Sequence, residues 1–176
     1  MRLAVTEAGQ GAGEGAAERL PVVLLHGLLG AGQNFGAVQK ALVARGHRVL
    51  ALDLRNHGGS PHAPTMSYPE MAADVAETLR AAGAWPAAVI GHSMGGKAAM
   101  ALALAQPEGV GRLLVADIAP VTYQTPLFAS YVAAMRAIPL RAGLTRREAD
   151  AALADAVPNP ALRGFCLLYT SPSPRD

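Results

Sequence analysis

The sequence predicts an α/β fold, a mostly parallel sheet flanked by helices, on three observations. Short apolar runs alternate with helix-length segments, as in chains built from repeated strand–helix units. Two of the runs, "PVVLLHG" (21–27) and "AAVIGHS" (87–93), are almost continuously apolar, which a strand buried on both faces requires. In "GHSMGG" (91–96) a serine stands between small residues where such a strand passes into a helix.

The elements follow in order. "RLAVTEAG" (2–9) reads as an early strand and the Gly/Ala-rich stretch after it, to residue 18, as a loop. After the strand at 21–27, "NFGAVQKALVARG" (34–46) has apolar residues at helical spacing and stops at Gly46, a C-terminal cap. "HRVLALDL" (47–54) is the next strand, and "RNHGGSPHAPT" (55–65) is a loop dense in turn formers. Ser67 is placed to cap "YPEMAADVAETLRAAG" (68–83), with Glu70 completing a capping box and Pro69 in the first turn. The strand at 87–93 leads into a helix over 94–106 that Pro107 ends, and "RLLVADIAP" (112–120) is one more strand. The alternation then stops: "FASYVAAMRAI" (128–138) and "TRREADAALADAV" (145–157) read as two successive helices. The expected division is a core over 1–120, a partial helical cap over 121–165 and a distinct tail over 166–176.

Bulk properties narrow the function. With 176 residues, 51% hydrophobic and 16% charged, the chain has the size and composition of one globular domain. The net charge is +2 and the basic residues are scattered singly, so no nucleic-acid surface is expected. No apolar run reaches the roughly 18 residues of a membrane span. The first residues lack the sustained apolar segment of a signal peptide. The single cysteine, Cys166, excludes a disulfide framework and a cysteine-built metal site. A cytoplasmic protein is the expectation.

The stretch 91–97 carries two motifs. As Gly-x-x-x-x-Gly-Lys it approaches a phosphate-binding loop, and "LLVAD", ending at Asp117, supplies a second metal-side element. Position 98 is alanine, however, where such a loop needs a hydroxyl for Mg²⁺. As Gly-x-Ser-x-Gly it is a nucleophile elbow, whose sharp strained turn demands small residues two positions either side of the serine, here Gly91 and Gly95. That turn lifts the Ser93 hydroxyl and aims the Met94 amide at the same space, beside the positive helix end. A second amide is expected from Leu28, in the turn that Gly27 permits after "VVLLHG". The elbow accounts for more residues.

"HGLLGAGQNF", "DLRNHGGSPH", "MSYPEMAADV", "GHSMGGKAAM", "DIAPVTY" and "YVAAMRAI" together resemble the α/β-hydrolase serine esterases. The similarity is to the small branch that includes bacterial acyl-ester hydrolases and the mitochondrial α/β-hydrolase-domain-containing protein eleven. It runs from Pro21 to Phe165. The resemblance implies hydrolysis of small carboxylic esters or thioesters, with no metal or organic cofactor. It also implies Ser93 as nucleophile, Met94 and Leu28 as oxyanion donors, and Asp117 as the acid. Asp117 has an alternative role as a helix cap or loop-fixing carboxylate in "DIAP". Tyr131 and Met135, on a cap helix, are either acyl-chain contacts or packing residues. The same scaffold also hosts C–C bond hydrolysis, the elimination of the menaquinone-pathway synthase, and non-catalytic binding proteins.

A base is missing. Hydrolases of this fold place the histidine last, and none follows His92. His92 is expected to leave the strand on the face opposite Ser93. His26 is expected to order the oxyanion loop and His57 to serve the turn in "RNHG", with service as a base as the alternative for His57; His47 and His62 are expected to face solvent. "CLLYTSPSPRD" (166–176) is similar to the in-frame translation of a transposon-based sequencing adapter. On that reading Cys166 is not native and the gene is cut inside the cap. The polypeptide is then expected to be nearly inactive, with an exposed apolar edge strand that lowers its solubility.

Overall fold

A computed structural model describes residues 1–9, 19–123 and 127–167. The chain divides into two compact units, Met1–Pro120 and Val121–Asp176. The loop expected up to residue 18 and most of the distinct tail, from residue 168, lie outside the described residues.

The first unit holds β1 (Val5–Ala8), β2 (Val22–Leu25), α1 (Gly36–Val43), β3 (Val49–Leu52), α2 (Tyr68–Ala81), β4 (Ala87–His92), α3 (Met94–Ala105) and β5 (Val110–Ala116). The sheet order is β1-β3-β2-β4-β5. β1 runs antiparallel to β3, and the other neighbours are parallel. The antiparallel strand is an exposed edge, and the Glu7–Arg48 ion pair across it discourages further pairing.

Alternation along the strands distributes their side chains between two cores. Val23, Leu25, Leu50 and Leu52 join one buried cluster with Met71, Val75 and Leu79 of α2 and Ala98, Ala99 and Leu102 of α3. Val22, Leu24, Val49 and Ala51 join the other, against Leu42 and Val43 of α1. Both faces of β2 and β3 are therefore dry, which explains their unbroken apolar sequence. The cap on α2 forms as the sequence requires: the Ser67 amide donates to Glu70 Oε2 at 2.8 Å, and Ser67 Oγ accepts from the Glu70 amide.

From β2 the chain moves outward to β3, then returns across β2 to β4. This reversal makes the carboxyl ends of β2 and β4 a switch point, the place where open parallel sheets bind ligands. At the other side β5 leaves Leu113 and Leu114 exposed, as an unpaired apolar edge among the described residues.

The second unit contains α4 (Leu127–Arg136), α5 (Arg146–Leu153) and α6 (Pro160–Cys166). Thr145 caps α5 by a box with Glu148. The last helix was not legible in the sequence; it buries Cys166, and burial pushes that thiol above its ordinary value. No helix among the described residues is long and apolar enough to cross a membrane. One expectation is corrected: His47 is half-buried, because its backbone enters β3 beside Gly9, and its Nδ1 is buried with no partner among the described residues. His62 is exposed.

Candidate active site

Among the described residues four other than glycine adopt positive φ, and each follows a different strand end. Leu29 (59°) follows β2, Asn56 (64°) follows β3, Ser93 (50°) follows β4 and Asp117 (58°) follows β5. L-residues avoid this region, so four on one rim mark a place where the backbone is held against its preference.

Ser93 forms the sharpest of these turns. Its amide still pairs with Ala116 O at 2.9 Å, extending the β4–β5 ladder, while its carbonyl already accepts from the Lys97 amide at 3.1 Å, opening α3. One residue thus joins strand to helix. A serine before a helix usually caps it through its side chain; at φ 50° and ψ −115° Ser93 makes no such bond. The glycines around it have no substitutes. A Cβ on Gly91 would meet Gly96 Cα at 2.7 Å, and one on Gly95 would meet His26 O at 2.6 Å. This geometry also removes the phosphate-loop alternative, since Gly91 and His92 lie in β4 and Met94 starts α3, which leaves no loop to cradle a phosphate.

The turn after β2 lies against the elbow: a Cβ on Gly27 would stand 3.4 Å from Ser93 Cβ. Its amides are almost all engaged. Leu29 N donates to His57 Nε2 (3.2 Å), Gly30 N to Gly27 O (3.0 Å), Ala31 N to Asn34 Oδ1 (2.6 Å) and Gly32 N to Asp53 Oδ1 (2.7 Å). The amide of Leu28 has no acceptor among the described residues. Met94, the first residue of α3, likewise has no acceptor for its amide among them, as the first turn of any helix predicts. Two free donors therefore flank the serine's strand end, one beside the positive pole of a 12-residue helix.

His26 orders this loop as expected, joined by His57 and by Asp53, to which the sequence reading assigns no role. His26 and His57 are buried, with ring centroids 5.1 Å apart. His26 Nε2 accepts from the Leu54 amide (2.9 Å), so its proton lies on Nδ1, which donates to Gly27 O (2.8 Å). His57 Nε2 accepts from Leu29, so its Nδ1 donates to Arg55 O (2.9 Å). Both nitrogens of His57 are thus occupied, which removes it as a base. Asp53 spans the two loops, since its Oδ2 also accepts from the Gly59 amide at 2.7 Å. An acid directly after β3 and before "RNHGGS" was the available signal for that bridge.

Asp117 lies on the turn after β5, exposed, with Oδ2 3.6 Å from His92 Nε2. Residues 118–123 are not helical, so Asp117 caps no helix. His92 departs from its expected course. The strand alternation ends before Ser93, whose positive φ swings its side chain back, and His92 Nδ1 and Ser93 Cβ border the same point beside Gly27. No hydrogen bond joins the two side chains among the described residues.

A strained serine between parallel strand and helix, at the switch point of such a sheet, defines a fold family. The chain belongs to the alpha/beta hydrolase fold family, whose model matches residues 21–154. Among its relatives, the sn-1-specific diacylglycerol lipase ABHD11 of Mus musculus is 42% identical over 160 residues, 88% of this chain and 52% of the mouse protein. Esterase YbfF of Escherichia coli (strain K12) is 43% identical over 131 residues, 74% of this chain and 51% of the bacterial protein. A solved structure described as a marine microorganism esterase superposes with a TM-score of 0.85 at 36% identity, covering 95% of this chain and 63% of its own. The chain spans about half the length of the curated relatives it matches.

Proposed function

We propose that this chain carries the nucleophile half of a serine esterase acting on small carboxylic esters or thioesters. Ser93 Oγ attacks the carbonyl carbon while its proton passes to a histidine that Asp117 orients. The developing oxyanion accepts from the Leu28 and Met94 amides. Collapse breaks the bond to the leaving alcohol or thiol, which takes the proton back, and water then releases the acyl group by the same steps. The scheme needs no metal or organic cofactor. The observation that supports it best is the left-handed Ser93 at φ 50°, with its hydroxyl uncommitted to the helix it precedes.

The base is the part not found here. No histidine follows His92, and we infer that the base comes from sequence beyond these residues. A triad lacking one member keeps only about 10³–10⁴-fold catalysis over water. The 176-residue chain is therefore expected to turn over esters near background. In the same reading residues 121–165 are part of a helical cap, and the cytoplasm is the site of action.

The test is turnover of short p-nitrophenyl esters by the polypeptide continued along its natural reading frame. Ser93→Ala is expected to lower kcat/KM by about 10³-fold or more. Turnover that survives Ser93→Ala would remove the proposal, and absence of any fluorophosphonate adduct on Ser93 would favour a non-catalytic binding protein instead.

A further inference from the structure

Two buried histidines stand beside the elbow without a part in the chemistry just described, and their bonds converge on one peptide group. The carbonyl of Gly27 and the amide of Leu28 belong to the same planar trans unit, so whatever holds the carbonyl aims the N–H in the opposite direction. His26 Nδ1 donates to that carbonyl at 2.8 Å, and the Gly30 amide donates to it at 3.0 Å. The following peptide is held by the Leu29 amide on His57 Nε2, across a Leu29 backbone at φ 59°. Relaxation of Leu29 to an ordinary conformation would rotate the turn and carry the Leu28 amide with it.

The geometry points to His26 and His57 as a pair of positioning residues that aim the Leu28 amide at the reacting carbonyl, each as the neutral ring with its proton on Nδ1. This rests on the reading of Leu28 as an oxyanion donor. Either ring in the other tautomer loses both its bonds at once, because the Leu54 and Leu29 amides would then face an N–H. Hydrogen bonds into the Gly27 carbonyl also polarise its peptide and make the Leu28 N–H a stronger donor. The groups around His26 agree with its neutrality. Burial first, then His57, pushes His26 down to about 4, against the opposing pull of the Gly27 carbonyl and Asp53.

The test separates the two nitrogens, since an asparagine amide reproduces the Nδ1 position and a glutamine amide the Nε2 position. The first measurement is the ring ¹⁵N spectrum of the 176-residue chain at neutral pH, with both rings expected as neutral Nδ1–H forms. An Nε2–H or charged ring at either position would overturn the proposal. The second is the rate at which a fluorophosphonate captures Ser93, followed by intact mass with imidazole added as an external base and Ser93→Ala as the blank. His26→Asn, which keeps the donor to Gly27, is expected near the wild-type rate, and His26→Gln to be slower by about 10–100-fold. The order reverses at His57, where Gln keeps the acceptor for Leu29 and Asn does not. Equal rates in the Asn and Gln variants, with amide spectra still folded, would overturn the clamp and leave the esterase reading intact. Failure of the wild type to be captured even when continued along its natural reading frame would count against the esterase reading, while the ring spectra still decide the clamp.

Discussion

The two ends of the parallel sheet solve the same backbone problem in opposite ways. At the amino end, the described positions with positive φ are all glycine: Gly9, Gly46 and Gly83. At the carboxyl end the same region holds Leu29, Asn56, Ser93 and Asp117, with Gly58 as the one glycine among the described residues. Glycine enters that region without steric cost, whereas each other residue there costs on the order of 1–3 kcal/mol. The amino end is thus built for stability alone. The carboxyl end keeps side chains where the backbone would prefer none, and hydrogen bonds given by His26 and accepted by His57 and Asp53 compensate. Strain is concentrated where a reacting group has to be presented.

Substitutions can break this contrast at either end. The largest effect is expected from Gly95→Ala, whose methyl would press on the Leu25 and His26 carbonyls, backbone atoms that cannot move aside. A loss of about 3 kcal/mol is expected. Urea unfolding measures it, and an unchanged midpoint would mean that α3 does not abut β2 as described.

A comparable effect is expected from acid, through His26. The unfolded chain binds a proton at this ring near pH 6.5 and the folded chain only near 4, so between these values the unfolded state holds the extra proton. The stability from keeping His26 neutral is complete above pH 6.5 and is lost as pH falls towards 4, by about 3 kcal/mol in all. Unfolding free energies of the wild type and His26→Asn across that window check it. Parallel curves would show that another group sets the acid limb.

The smallest of these effects lies at the other end of the sheet. Gly83 has positive φ but open space around the position of a Cβ, so Gly83→Ala carries only the backbone penalty, about 1 kcal/mol. A cost as large as that of Gly95→Ala would erase the distinction between conformational and steric glycines.

Sequence periodicity was enough to place the five strands and the helices packed on them, because β2 and β3 are buried on both faces and α2 carries its own cap. The elbow was legible too, since a serine with glycines two residues either side has few other physical uses. What was hidden depends on partners distant in the chain. Asp53 joins Gly32 to Gly59, with only its place directly after β3 as a signal, and His57 reaches back to Leu29, a pairing that leaves no local pattern. The course of His92 was misread for a related reason: alternation holds within a strand, and Ser93 is the first residue outside it. In the second unit α6 escaped notice because Pro160 and Gly164 make a poor helical signature, although Asn159 accepts from the Ala161 amide at 2.9 Å at its start.

The central claim, that residue 93 is held in a conformation no side chain favours, is tested most directly by comparing the folding stabilities of Ser93→Gly and Ser93→Ala. Both lack the hydroxyl, so their difference isolates the backbone. At an ordinary position alanine is the more stable by about 0.5–1 kcal/mol. Here glycine is expected to be the more stable, by about 1–2 kcal/mol in urea unfolding. Alanine equal to or above glycine would contradict the account.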